Sequence, residues 1–295
     1  MTSVAAPVTD GAHARPLPLA RPGDDGRAAW ARGLDLAWQA WEPELERLAG
    51  NLGLRPDMRV LDAGCGTGAA VRMLARRMPL GGTIVGVDTD PEALEWAAWS
   101  LCDLAGQGAS VELWHEDVCD LPFTDDMFDA AWCTSVLGYV SDPARALHEL
   151  VRVVRPGGRI VVVSGDAARH TFLPIDPESE SRLRDAELQA ARDGAWGPDV
   201  DLYLGRRLYG LAAATGANAV TPLTVVWERT APLRPCEHDY MRRVLDGLAD
   251  GTVEPYMGTH WDACRTLLHP DSVGCVLHRP DLYVVQTVAA VVIEV

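Results

Sequence analysis

The chain contains no lysine; all 26 basic residues among its 295 are arginine. That absence excludes a Walker A phosphate site, Schiff-base chemistry, a pyridoxal-phosphate anchor and the Tyr-x-x-x-Lys pair of many reductases. Cysteine is sparse: there are seven, an odd number with no C-x-x-C spacing, which suits a reducing compartment better than a disulfide framework. Cys65, Cys102, Cys119 and Cys133 fall on or beside expected core elements, where free cysteine acts as a small hydrophobe. No apolar run approaches the roughly 20 residues of a membrane span. Residues 1–26 mix Pro, Gly, Ala, Arg and Asp without the apolar core of a secretory signal, and are expected to form a flexible tail. A cytoplasmic protein with no membrane partner is expected. The net charge of −16, with no basic cluster, argues against a nucleic-acid partner and favours a small-molecule one.

What is present centres on Val60-Leu61-Asp62-Ala63-Gly64-Cys65-Gly66-Thr67-Gly68, where an apolar strand runs into three alternating glycines and then a helical pattern. Glycines so placed let the chain turn sharply off a strand and bring bare N–H groups against a ligand. Asp62 adds a carboxylate at the strand end, placed for a cationic or hydrogen-bond-donating ligand group. Gly64, Gly66 and Ala69 also satisfy the relaxed dinucleotide fingerprint. A carboxylate at the entry point of a pyrophosphate argues against that reading.

Ahead of the turn, Trp30, Leu34, Trp38, Trp41, Leu45 and Leu48 recur at spacings of three and four, predicting a helical cap over 27–57 interrupted near Pro43. Its tryptophans either dock on the main domain or, for Trp38 and Trp41, wall the site. Strands are expected at Met58 to Leu61, Thr83 to Val87, Val111 to His115, Phe128 to Cys133 and Arg159 to Ser164, separated by helices. This alternation over 58–164 predicts a doubly wound, mostly parallel α/β sheet, whose ligands sit beyond the strand carboxyl ends. Asp88 closes the second strand about 20 residues after the glycine turn, where an acidic residue holds ribose hydroxyls. After 165 the rhythm changes. Residues 165–220 and 231–280 read as helical lid insertions, and within 221–295 the stretch Leu282 to Val295 reads as a last strand antiparallel to 221–229, the two bringing the total to seven strands.

Five stretches together carry a resemblance: the glycine turn, Gly86-Val87-Asp88, Glu116-Asp117 with Leu121-Pro122-Phe123, Phe128-Asp129, and Glu149 through Arg155-Pro156-Gly157-Gly158. They resemble the class I S-adenosylmethionine-dependent methyltransferases, in a small-molecule branch similar to the quinone-biosynthesis type. The resemblance implies S-adenosylmethionine as cofactor, leaving as S-adenosylhomocysteine. It further implies that Asp62 and the backbone of Gly64, Gly66 and Gly68 hold the methionine moiety and Asp88 the ribose. Asp117 would meet the adenine amino group, Val118 would pack beside the ring, and Ser135 would lie near the sulfonium. Asp117 has a plainer role available as a turn cap, and Glu149 and Arg152 read as structural.

Methyl transfer from a sulfonium relies on positioning, and needs a general base only if the acceptor must lose a proton. Histidine suits that role. His170, in the loop after the fifth strand, is the first candidate, followed by His260 and His238; His115 and His148 read as packed or surface residues. Cys236, His238, His260, Cys264, His269, Cys275 and His278 gather in the second insertion without zinc-site spacing, so no metal is expected. Trp196, Trp227, Tyr240, Tyr256 and Trp261 make that region aromatic, which points to an apolar or aromatic acceptor. A fold that keeps the cofactor but catalyses cyclisation, decarboxylation or hydroxylation, and a non-catalytic partner subunit, are the alternatives.

Overall fold

The computed structural model describes residues 7–10, 13–16, 26–79, 81–104, 108–166, 171–173, 176–197 and 200–295. Two short strands, β1 (Pro7–Asp10) and β2 (His13–Pro16), precede a long helix, α1 (Gly26–Ala49). Then follow β3 (Arg59–Ala63), α2 (Ala69–Arg77), β4 (Thr83–Asp88), α3 (Pro91–Ser100), β5 (Ser110–His115), β6 (Phe128–Thr134), α4 (Pro143–Val153) and β7 (Val154–Gly165). Beyond these lie β8 (Thr171–Leu173), α5 (Pro177–Arg192), α6 (Leu208–Ala213), β9 (Ala219–Thr230), α7 (Pro235–Ala249), α8 (Glu254–Met257), α9 (Trp261–Leu268) and β10 (Tyr283–Glu294).

The sheet runs β5-β4-β3-β6-β7-β10, with β9 on the far side of β10. The first five of these strands are mutually parallel, β10 is antiparallel to β7, and β9 is antiparallel to β10 along its whole length, from Tyr283↔Thr230 to Glu294↔Ala219. These seven are the expected doubly wound core of a ten-stranded sheet, in which β3, the strand that runs into the glycine turn, lies third, between β4 and β6. Helices start where the sequence supplies caps: Asp90 accepts from the Glu92 N–H at 2.9 Å and Asp142 from the Arg145 N–H at 2.9 Å, each followed by proline in the first turn.

Strand residues alternate between two buried layers because both faces of a parallel sheet are covered. Val60, Ile84, Ala130, Trp132 and Val161 pack under α1, α2 and α7, whereas Leu61, Val85, Ala131, Cys133 and Ile160 pack under α4 and α6. Glu149 and Arg152 pin the loop after β5: Glu149 Oε2 accepts from the Leu121 N–H, and Arg152 donates to the carbonyls of Leu121 and Phe123. These motif residues are structural.

Three features differ from the sequence expectations. Part of the expected tail pairs as a hairpin at the sheet edge, with Val8↔Leu113 and Thr9↔Trp114 joining it to β5; the open edge of β5 offers unpaired backbone groups that any extended segment can satisfy. Helix α1 is continuous through Pro43. An interior proline costs about 3 kcal/mol, and burial of Trp41, Leu45 and Leu48 along one face offsets it at about 1.5–3 kcal/mol per side chain. Lastly, Leu204, in a 3-10 turn, and Leu208 and Ala212, one turn apart on α6, lie inside the segment expected as a lid and are fully buried against β10 and α4, so this part is docked on the core.

Candidate active site

The glycine turn is built from left-handed backbone. Gly64, Gly66 and Gly68 have φ of 76°, 51° and 84°, a region that costs other residues roughly 1–2 kcal/mol. The three glycines serve different ends. A Cβ on Gly64 would lie 2.0 Å from Val136 Cγ2, and one on Gly68 would lie 2.7 Å from Leu101 Cδ1, so these two permit close packing within the protein. A Cβ on Gly66 would meet only Leu34 Cδ1, at 3.6 Å; its bare backbone faces the cavity. The N–H groups of Gly64 and Cys65 donate to the carbonyl of Val87 at 2.8 and 2.9 Å, which fastens the turn to the end of β4.

Two cavities open at the carboxyl ends of the strands. The first, of about 370 Å³, is lined by Gly64, Gly66, Asp88, Asp117, Val118 and Ser135, with Trp30, Leu34 and Tyr139 at its apolar rim. The second, of about 250 Å³, is bounded by Trp38, Trp41, Leu45, Asp62, Tyr240 and Gln286. Leu34, Gly64, Gly66, Thr134 and Ser135 line both, so the two spaces meet at the glycine turn and the end of β6. Ser135 there has a φ of 59°, unusual for a residue with a side chain and typical of functional sites.

The carboxylates are arranged by depth. Asp62 is 1% exposed, and its Oδ2 has no hydrogen-bond partner among the described residues; burial, then the charge of Asp88, pushes its pKa up to about 8. Asp88 accepts from the N–H of Gly66 at 2.8 Å and of Asp90 at 3.0 Å, and burial raises its pKa in spite of these bonds. Asp117 accepts from the Cys119 N–H at 2.8 Å, so it caps the turn while lining the first cavity. Thr134 Oγ1, at the junction, is also buried without a partner among the described residues. Burial raises the Cys65 thiol well above its ordinary pKa, which makes it a packing group and not a nucleophile.

Helix α1 is the shared wall. The hydroxyl of Thr67 in the glycine turn donates to Asp35 Oδ1 at 2.7 Å, tying the helix to the turn. Farther along, Trp41 stacks on Trp227 with ring centroids 6.1 Å apart, and Trp227 donates to the carbonyl of Ala40 at 2.9 Å. Arg229 lies over the Trp227 ring and pairs with the buried carboxylates of Glu44 and Glu237.

Of the residues singled out from the sequence, Asp62, Gly64, Gly66, Asp88, Asp117, Val118 and Ser135 line these cavities. Gly68 lines neither; it allows α2 to approach Leu101 and Ala97 at the end of α3. His170 lies outside the described residues. His238 and His260 line neither cavity: His238 is 41% exposed in its side chain at the start of α7, and His260 is half-buried at the junction before α9. Helix α7 turns Tyr240 inward instead. Sequence reasoning missed Gln286 and Thr134. The signal for Gln286 was a lone amide in the apolar run from Tyr283 to Val288, fully buried in the structure.

The methyltransferase domain family matches residues 61–162. The chain is 34% identical over 179 residues to an uncharacterized 37.1 kDa protein of transposon Tn4556 from Streptomyces fradiae, a span of 60% of this chain and 48% of that one. It is 41% identical over 104 residues to a demethylmenaquinone methyltransferase of Clavibacter sepedonicus, covering 35% of this chain and 40% of the relative. The chain thus spans about half or less of the length of these relatives. A geranyl diphosphate C-methyltransferase from Streptomyces coelicolor A3(2), solved with S-adenosylhomocysteine, superposes with a TM-score of 0.50 at 19% identity over 88% of this chain and 76% of that one; at that identity the likeness concerns the fold. Residues 61–162 thus match a methyltransferase domain, on a doubly wound sheet whose fold is shared with a solved methyltransferase.

Proposed function

We propose that the protein is an S-adenosylmethionine-dependent methyltransferase whose acceptor is a small apolar or aromatic metabolite. The observation that carries this reading is the pair of cavities joined at Gly64, Gly66, Thr134 and Ser135: one is lined by carboxylates at strand ends, the other by tryptophans. The residues present fit the cofactor. Asp62, a buried carboxylate with a spare oxygen, suits the methionine ammonium; Asp88 suits ribose hydroxyls, since each of its oxygens keeps a lone pair beyond its backbone bond. Asp117 and Val118 complete an adenosine-sized first cavity, and the absent Cβ of Gly66 leaves room beside it. When bound, S-adenosylmethionine supplies an electrophilic methyl group.

The chain's own part is positioning and exclusion of water. Helix α1 roofs both cavities, and Trp38, Trp41 and Leu45 give the acceptor an apolar wall in which orientation, not acid–base chemistry, lowers the barrier. No histidine is among the described residues lining the second cavity.

The reading is tested by incubating the protein with S-adenosylmethionine and a panel of neutral aromatic acceptors, following S-adenosylhomocysteine release and methylated product by mass spectrometry. Product formation dependent on the methyl donor supports the assignment. Turnover that continues when S-adenosylhomocysteine replaces the donor would reject methyl transfer.

A further inference from the structure

The polar groups of the second cavity form a defined set. Tyr240 on α7 is held from two sides: its hydroxyl oxygen accepts from Trp41 Nε1 on α1 at 3.1 Å, and its proton is donated to Gln286 Oε1 on β10 at 2.8 Å. Trp227 packs edge-on against the ring, with centroids 5.6 Å apart. The phenol therefore cannot swing, and its donor is already spent. Tyr240 lines the cavity, and with its proton given to Gln286 and one lone pair taken by Trp41, any further hydrogen bond its oxygen makes is as an acceptor, through the second lone pair.

The charges lining the same space are equally informative. Among the described residues, the second cavity is lined by no arginine and no histidine, and the chain has no lysine. Its one carboxylate is Asp62. An acceptor bearing a phosphate or carboxylate would thus be desolvated with no countercharge from the described residues that line the cavity, an arrangement that proteins avoid. Size narrows the class further. A dry cavity of about 150 Å³ takes one benzene ring, and part of the 250 Å³ here lies against Asp62, Gly64 and Gly66, on the side assigned above to the methionine moiety.

Resting on the methyltransferase reading, we propose that Tyr240 is a specificity-determining residue that accepts a hydrogen bond from a hydroxyl or N–H group on an uncharged acceptor of one to two rings. Trp41 and Gln286 are positioning residues that fix which way the phenol proton points. Sites built to pair with a substrate hydroxyl reject analogues lacking it far more strongly than apolar pockets reject a change of size.

The test uses the full chain saturated with S-adenosylhomocysteine and three probes titrated by calorimetry: 2-naphthol, 2-methoxynaphthalene and 2-naphthoate. The wild type is expected to bind the naphthol about tenfold more tightly than the methyl ether, the value of roughly one neutral hydrogen bond, and to show no heat with the carboxylate. Tyr240→Phe removes the acceptor and should bring the naphthol-to-ether ratio to about one. Because that change also loosens α1, Gln286→Met serves as an independent variant. It frees the phenol proton to donate into the cavity, and should raise ether binding while Tyr240 stays in place. A wild-type ratio near one, a preference that survives Tyr240→Phe, naphthoate binding, or failure of all three probes would overturn the proposal. Saturation by S-adenosylhomocysteine is measured first, so loss at that step counts against the cofactor reading and loss at the probe step against Tyr240 alone.

Discussion

Replacing Asp62 with asparagine separates two consequences of burying a carboxylate under the glycine turn. In the folded protein its pKa is pushed from 3.8 up to about 8, by burial first and the Asp88 charge second. The sign follows directly. Between these values the folded chain holds a proton that the unfolded chain has lost, so stability is greatest below about pH 4 and declines as pH rises toward 8. The slope attributable to this group approaches about 1.4 kcal/mol per pH unit within that window. Asp62→Asn keeps the shape and removes the titration. Urea unfolding from pH 5 to 8 should show the wild type losing stability relative to the variant as pH rises. Ligand binding reverses the balance: an ammonium group at Oδ2 favours the ionised carboxylate, which is only about one-tenth populated at pH 7 when the pKa is about 8. Binding of S-adenosylhomocysteine at pH 7 should therefore release close to one proton, read from the dependence of the calorimetric heat on the ionisation heat of the buffer. Release should fade by pH 9 and be absent in Asp62→Asn, whose affinity should drop about 10- to 100-fold for loss of a charged hydrogen bond. Equal proton release by wild type and variant would refute the reasoning.

Other substitutions probe the frame around the site. Gly64→Ala places a methyl 2.0 Å from Val136 Cγ2 at a φ of 76°, and should destabilise the fold by about 2–4 kcal/mol; thermal melting measures this, and pairing with Val136→Ala should recover part of the loss. Arg229→Leu takes one arginine partner from each of Glu44 and Glu237, whose side chains are 5% and 4% exposed and which keep Arg47 and Arg234, and should cost about 1.5–3 kcal/mol at pH 7 for the lost charged hydrogen bonds. Although burial tends to raise Glu237, hydrogen bonds from Arg234 and Arg229 hold it below its ordinary range. Its contribution is thus present above about pH 4.5 and lost as pH falls through the depressed value. The Arg229→Leu penalty should shrink in acid, and a pH-independent penalty would contradict the ion-pair account.

The fold was legible where local chemistry repeats. Strand, glycine turn, helix and capped proline recur on the scale of a βαβ unit, and the β-branched run closing the chain marked β10 and its antiparallel partner. The lid was less legible: Leu204, Leu208 and Ala212 form too short a period to distinguish a core helix from an insertion, and only the buried face against β10 decides it. For the site, residues contributed by one local motif, from Asp62 to Gly66 and at Asp88, were readable. The acceptor side was not, because it joins Trp41, Tyr240 and Gln286, residues separated by 199 and 46 positions. Histidine drew attention for its chemistry alone. The geometry turns a tyrosine of the same helix inward and leaves His238 half-exposed at its start.

The central claim, that the turn from Val60 to Gly68 holds S-adenosylmethionine, is tested most directly by titrating S-adenosylhomocysteine into the wild type and into Gly66→Asn. Asparagine tolerates the left-handed φ of 51° better than other side chains and its Cβ would meet only Leu34, at 3.6 Å, so the variant should fold while its side chain occupies the space at the junction of the two cavities that Gly66 lines. One-to-one binding by the wild type and none by a folded Gly66→Asn is the predicted result. Absence of binding to the wild type, or undiminished binding to the variant, would contradict it.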